Sequence, residues 1–331
     1  MRIREFREDA VIYRPTRRDL LSMAAAMPAL TLPVAGRAQL LGAPPAGNPA
    51  HFSFSLGDAT LTVISDGHLE LAASGLGVNA DPETVEAFLR DYALSTEQNY
   101  SHTNHLLIER GDAKVLIDVG SGDRFLPTAG RLWDNMDAAG IDRDSITHVV
   151  ITHAHPDHIW GVRDGFDEAI VPGARYFIGR DEHDFWMQDG LVDQVPAEMQ
   201  QFVLGAQNSI EVDGADWTLL EDDQEIAPGV RVISTPGHTP GHMSVLIDTG
   251  DRPLLALGDA MSHVWTNFVH PEWYNEFDMD GEQTVATRRR LLDMAATEEM
   301  AVLGYHFPFP GVGHVKPEGD AYRFIPALWR W

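Results

Sequence analysis

The chain has 331 residues, no cysteine and a formal net charge of −26 at neutral pH. Without cysteine there are no thiolate metal ligands, no cysteine nucleophile and no disulfides, and so acidic a chain lacks the basic face that nucleic acid requires. Apolar residues make up 44% of it, enough for a sizeable core, and no run of about 18 apolar residues follows the N-terminal region, so no membrane span is expected.

Taken in chain order, the first feature is an address. Thr16-Arg17-Arg18-Asp19-Leu20-Leu21 resembles a twin-arginine export signal, followed by an apolar stretch to Ala35 and small residues at Gly36 and Ala38. Residues 1–38 are therefore expected to be a signal peptide cleaved before Gln39, giving a periplasmic or secreted protein exported already folded. The competing reading is an amphipathic helix packed on the domain. Residues 39–52, rich in Gly, Pro and Ala, read as a flexible leader, and 53–331 as one domain.

Within that domain short β-branched runs alternate with helical patterns. Strands are expected at 59–65, 104–109, 114–118, 148–152, 175–178, 230–234, 242–247, 254–257 and 300–305. Helices are expected at 82–92, 124–139, 196–207 and 282–296. Polar residues recur at strand ends, as in a layered α/β domain whose site is built from loops at one edge of its sheets.

The strongest signal follows the strand at 148–152. His153-Ala154-His155-Pro156-Asp157-His158 puts three histidines and an aspartate within six residues. Alternate residues of an extended chain project to one side, so His153 and His155 are able to grip one ion together. Pro156 then turns the chain towards a helix and lets Asp157 and His158 face a second. Core packing does not explain such a run, because buried polar groups need partners. Three further residues of ligand type come just past expected strands: His238 in Thr235-Pro-Gly-His238-Thr-Pro-Gly-His242, Asp259 in Leu257-Gly-Asp259, and His306. Each alone reads as an ordinary core or surface residue; as a set they complete the first motif.

Together the H-x-H-x-D-H run, the G-H-T-P-G-H turn, the L-G-D and the late histidine resemble the metallo-β-lactamase superfamily. The resemblance implies an α/β fold, an αββα sandwich with two central mixed β-sheets flanked by helices. It implies two divalent metal ions, zinc first, with manganese, iron and cobalt open. One would take His153, His155 and His238, the other Asp157, His158 and His306, with Asp259 bridging. Asp118 sits where the superfamily has a buried aspartate that orients the histidine loop; otherwise it is an ordinary turn residue. Within the superfamily the chain resembles the methyl parathion hydrolase group and its lactone- and aryl-ester-hydrolysing relatives, through Ser65-Asp-Gly67, Gly130-Arg-Leu132, Asp184-Phe-Trp186, Phe309-Pro-Gly-Val-Gly-His314 and Glu318-Gly-Asp-Ala-Tyr-Arg-Phe-Ile-Pro326.

That resemblance implies a hydrolase in which a metal-bridging hydroxide attacks an apolar ester, lactone or phosphotriester, with Asp157 and Asp259 in the reaction machinery. It also implies a homodimer, and places Phe125, Trp186 and Phe277 in the substrate pocket. The aromatic segment after Asp259 adds Trp265 and His263 as pocket candidates. Arg288-Arg289-Arg290 reads as a solvated helix face. Rival readings are an acyl-homoserine or other lactonase with little action on phosphotriesters, a β-lactamase, a thioester hydrolase, and a non-catalytic periplasmic metal-binding protein. Asp259 as bridge argues against the β-lactamase. With Lys114 and Lys316 the only lysines, there is little from which to build a basic pocket for acidic thiol conjugates.

Overall fold

The computed structural model describes residues 50–329 apart from residue 251, so the expected signal peptide and most of the expected leader lie outside the described residues. Strand β1 (His51–Leu56) begins inside the stretch read as leader, where Phe52 and Phe54 pack against Trp329 with ring centroids 4.3 and 5.3 Å apart. The first half continues through β2 (Ala59–Ala72), α1 (Pro82–Asp91), β3 (Gln98–Arg110), β4 (Ala113–Ile117), α2 (Leu132–Ala138), β5 (His148–Ile151) and α3 (Pro156–Ile159). It ends with β6 (Arg175–Gly179), α4 (Arg180–Trp186), α5 (Leu191–Gln194), α6 (Ala197–Ile210) and β7 (Trp217–Leu220). The second half holds β8 (Glu225–Ala227), β9 (Val230–Ser234), β10 (Met243–Ile247), β11 (Leu254–Ala256) and α7 (Thr266–Val269). After these come α8 (Gly281–Thr297), β12 (Ala301–Leu303), β13 (Val312–Glu318) and β14 (Ala321–Pro326).

The halves form two seven-stranded sheets, ordered β1 to β7 and β14 to β8. Both are mixed: β4, β5, β6 and β7 run parallel, as do β11 and β12, and the other pairs are antiparallel. Each parallel step needs a crossover, and the crossovers carry the helices to the outer faces. Strand alternation then sorts the apolar residues into three layers. Val115, Ile117, Val150 and Phe177 of the first sheet meet Val245, Ile247, Leu254 and Leu303 of the second. Their neighbours Leu116, Val149, Ile151 and Tyr176 face Leu132 and Met136 of α2 and Phe202 and Val203 of α6. On the far side Leu255 and Val302 face Leu291 and Leu292 of α8. Both faces of each central strand are buried, which is why these strands read as continuous apolar runs. The αββα sandwich is present.

Local chemistry sets the boundaries. Pro82 occupies the first turn of α1, Asp81 caps it by accepting from Thr84 N at 3.0 Å, and Val85, Phe88 and Leu89 make its buried stripe. The helix expected over 124–139 is corrected to Leu132–Ala138. Pro127 and left-handed Gly130 interrupt it, and the buried Asp66 carboxylate holds the segment as a loop. That carboxylate accepts from Gly130 N at 2.9 Å, and from Leu132 N at 2.6 Å where α2 starts. β2 and β3 outrun the expected strands at 59–65 and 104–109. Their pairing continues to Ala72 and Gln98 past a bulge between Ser65 and Gly67, which carries the hairpin over the sheet edge where the site lies. No helix among the described residues is long and apolar enough to cross a membrane.

Candidate metal centre

The carboxyl ends of strands from both sheets converge here. β5 ends at Ile151 and delivers His153 and His155; Pro156 then opens α3, whose only full turn places Asp157 and His158. From the second sheet, His238 comes from the β9–β10 connection, Asp259 from the turn after β11 and His306 from the end of β12. Gly258 makes the turn before Asp259 with φ +54, a backbone conformation that side chains rarely tolerate. Ligand-type atoms of His153, His155 and His238 lie within 4.8 Å of one another, as do those of Asp157, His158 and His306, and those of His153, His158 and Asp259. Asp259 Oδ2 is 3.4 Å from His238 Nε2 and 3.0 Å from His306 Nε2. Its carboxylate thus touches both of the triads that the resemblance implies.

The chemistry of this donor set fits divalent cations. Groups that can only accept fix the proton of three rings on Nδ1: Asp118 Oδ2 is 2.8 Å from His158 Nδ1, Asp278 Oδ1 2.9 Å from His238 Nδ1, and the His102 carbonyl 2.7 Å from His306 Nδ1. In the neutral imidazole each Nε2 is then a bare acceptor, and all three point into the cluster. There they meet other acceptors: His238 Nε2 lies 2.9 Å from His155 Nδ1, and Asp157 Oδ2 lies 3.5 Å from both His158 Nε2 and His306 Nε2. Asp157 Oδ2, His158 Nε2 and Asp259 Oδ1 are buried without a hydrogen-bond partner. Converging acceptors that lack donors call for cations between them. Burial, helped by neighbouring histidines, holds His153 and His155 well below the usual histidine range, in the neutral form that binds metal. Burial also opposes charge on His158, but Asp157, Asp259 and Asp118 outweigh it and raise its pKa. The negative charge facing that ring is what a cation would neutralise.

A buried scaffold sets these groups. Asp118, left-handed at φ +58, also accepts from Thr152 N at 2.8 Å and Thr152 Oγ1 at 2.9 Å, tying the end of β4 to the histidine loop. Glu182, unmarked in the sequence, joins the two histidine-bearing loops. Its carboxylate takes Ala154 N at 2.8 Å on one and Thr239 Oγ1 at 2.6 Å and Gly241 N at 3.1 Å on the other. His242, its pKa pushed down to about 3 by burial, accepts from Asp259 N at 2.9 Å. Asp278 was missed because nothing near it in sequence resembles a ligand motif. Arg288 was misread as solvated. It is fully buried, lies 3.7 Å from Asp278 and donates to the carbonyls of Ala260, Pro271 and Trp273.

A cavity opens onto the cluster at His155, Asp157, His238, Asp259 and His306. Its apolar wall comes from β2 and the connection after it, from two loops and from α6, through Leu69, Leu71, Leu76, Phe125, Phe277 and Phe202. Phe125 and Phe277 therefore stand on the wall. Trp186 does not. It is buried behind His155, with ring centroids 5.9 Å apart, and its Nε1 donates to Glu182 at 2.7 Å. An indole N–H with a buried partner belongs to the scaffold. Trp265 and His263 are also displaced from this cavity. They line a neighbouring one that shares Leu76, Asn99 and His306 with the first. Burial takes the His263 imidazole down to about 4.

The profile of the metallo-beta-lactamase superfamily matches residues 100–306. An N-acyl homoserine lactonase of Bacillus sp is 21% identical over 220 residues, covering 60% of this chain and 79% of that protein. Among solved structures, AidC, a dizinc quorum-quenching lactonase in complex with a product, has a TM-score of 0.75 at 24% identity over 85% of this chain and 98% of its own. The hydrolase AbOPH of the beta lactamase superfamily has a TM-score of 0.77 at 26% identity, over 86% and 99%. The profile match runs from β3 to the last histidine of the cluster and contains all seven converging side chains. The chain belongs to the metallo-beta-lactamase superfamily and is a metallo-hydrolase.

Proposed function

We propose that the chain hydrolyses small, uncharged, apolar esters, lactones foremost, at a pair of divalent ions held by His153, His155 and His238 and by Asp157, His158 and His306, with Asp259 between them. The observation that carries this reading is the make-up of the cavity. Its wall is apolar and aromatic, the acids Asp157, Asp259 and Glu276 face into it, and no lysine or arginine lines it among the described residues. With Asp157 and Asp259 taken up by the ions, the apolar wall and Glu276 offer the carboxylate of a β-lactam or a glutathione thioester no basic side chain to pair with, whereas a lactone or a neutral phosphotriester needs none. Lactonase relatives favour the lactone.

With divalent ions bound, a site of this kind polarises the ester carbonyl and makes water acidic enough to attack near neutral pH. The chain's own part is placement. Asp118, Asp278 and the His102 carbonyl hold three rings in the tautomer that leaves Nε2 free. Tyr305 donates to the Asp157 backbone carbonyl at 2.6 Å and fixes the turn that carries Asp157 and His158. Asp157, whose side chain reaches the cavity, would hold its ion and also take up and return a proton as the ester opens. Phe125 and Phe277 exclude water and seat the apolar part of the substrate. Zinc as the resident metal, export by the twin-arginine route and a homodimer belong to the same proposal.

The test compares kcat/KM on N-hexanoyl-homoserine lactone, dihydrocoumarin, methyl paraoxon and nitrocefin, using metal-loaded protein lacking residues 1–38, each with a chelated control. Chelator-sensitive turnover with a lactone ranked first is expected. A first rank for methyl paraoxon makes the enzyme a phosphotriesterase, and a first rank for nitrocefin overturns the reading.

A further inference from the structure

The cavity holds one acid that the metal cluster does not use. Glu276 lies between Asn275 and Phe277, two residues before the carboxylate that orients His238, and its backbone N–H donates to Gly75 O at 2.9 Å. Its carboxyl fills the space that Gly75 leaves by having no side chain. A Cβ there would stand 2.3 Å from the Glu276 carboxyl carbon and 2.4 Å from Oε1, so a side chain at position 75 would push the acid out of this place. The neighbouring Asn275 is satisfied by the protein: its Nδ2 donates to Ser262 Oγ at 2.6 Å, and its backbone N to Asp278 Oδ2 at 2.8 Å. The Glu276 carboxyl has no hydrogen bond and no ion pair among the described residues. Burial is the sole influence on it and pushes its pKa up to about 7.

A carboxyl set among Leu69, Leu71, Leu76 and Phe277 is partly withdrawn from water and receives no donor from the protein, while it stays open to the cavity. An acceptor that faces a cavity without a protein partner is free for a donor that a ligand brings. The partner of a carboxylate is a donor, an N–H or an O–H, and no lysine or arginine in the lining competes for this one.

We propose that Glu276 is the specificity-determining residue of this cavity: it accepts a hydrogen bond from a substrate N–H and so selects lactones that carry an acylamino group beside the reacting carbonyl over lactones with a plain alkyl chain. The proposal rests on the lactone reading above and adds to it the part of the substrate that is recognised. The Leu69, Leu71 and Leu76 side chains would then contact the acyl chain, while the ring carbonyl faces the metal ligands. A donor that reaches Glu276 also favours its ionised form and relieves the cost of burying it.

The experiment measures kcat and KM for N-hexanoyl-homoserine lactone and for α-hexyl-γ-butyrolactone, which keeps ring and chain but lacks the N–H, in the wild type, Glu276→Leu and Glu276→Gln. Metal content and near-UV circular dichroism of each variant confirm equal loading and folding. The wild type is expected to prefer the acylamino lactone. In Glu276→Leu the ratio of the two kcat/KM values should fall about tenfold, chiefly through KM. Glu276→Gln keeps an acceptor oxygen at the same reach and should recover most of the ratio. An unchanged ratio in Glu276→Leu overturns the proposal, and so does Glu276→Gln losing as much as Glu276→Leu. A wild type active on both lactones with no preference removes the role of Glu276 alone. A wild type that cleaves aryl esters but neither lactone removes the lactone reading and this inference with it.

Discussion

Asp278 shows how much of the centre depends on a side chain that would touch no metal. Its Oδ1 fixes the His238 tautomer while its Oδ2 accepts from Asn275 N and faces buried Arg288. Removing it frees the His238 ring to rotate and leaves a guanidinium buried without its counter-charge. Asp278→Ala should therefore weaken metal retention and activity by about 10–100-fold. Metal titration followed by activity at saturating metal separates the two effects: excess metal should restore much of the rate. A variant that holds metal as tightly as the wild type would show that His238 is oriented by packing alone. Asp66 does comparable work away from the metals. Asp66→Ala strands the N–H groups of Gly130 and Leu132 in a buried place and should cost about 2–4 kcal/mol in denaturant unfolding. A loss below 1 kcal/mol would mean that water replaces the carboxylate.

At the level of elements, α6 bears on the site through a glycine. A Cβ on Gly205 would lie 2.2 Å from Trp160 Cε2, and Trp160 directly follows the turn that carries Asp157 and His158. Alanine for glycine on an open helix stabilises by about 1 kcal/mol. Here overpacking should reverse the sign, so Gly205→Ala is expected to destabilise by about 1–3 kcal/mol and to lower metal occupancy. A raised Tm would show that Trp160 has room to move. Legibility in the sequence follows the same division between local and distant causes. The β5 strand and its histidine run were readable because strand alternation and the i, i+2 spacing act within a few residues. The helix at 124–139 was overextended because Asp66, some 60 residues earlier, holds the loop. Asp278 and Glu182 were invisible for the same reason: their partners lie 40 and 28 residues away. The resemblance puts Trp186 on the cavity wall by position, whereas its burial and its bond to Glu182 turn it to the core. Arg288 looked solvated because two further arginines follow it, although its place on α8 puts it on the buried stripe.

The whole molecule carries 50 acidic against 24 basic side chains. Self-repulsion on that scale opposes the compact state, and salt screens it over a Debye length that shrinks to about 3 Å at 1 M. Thermal melts from 10 mM to 1 M sodium chloride should show a rising Tm, while turnover of an uncharged lactone should stay flat. A constant Tm would mean that the acids are spaced widely enough not to interact.

The seam between the sheets has a further consequence. β1 to β7 come wholly from residues 51–220 and β8 to β14 wholly from 225–326, with His153, His155, Asp157 and His158 on one side and His238, Asp259 and His306 on the other. Neither side alone owns a complete set of donors, so the centre acts as a clasp. Cutting the chain in the turn at 221–224 would yield two fragments, each with a full sheet and half a clasp. Catalysis by such a pair would become a readout of their reunion, tunable by the concentration of free metal.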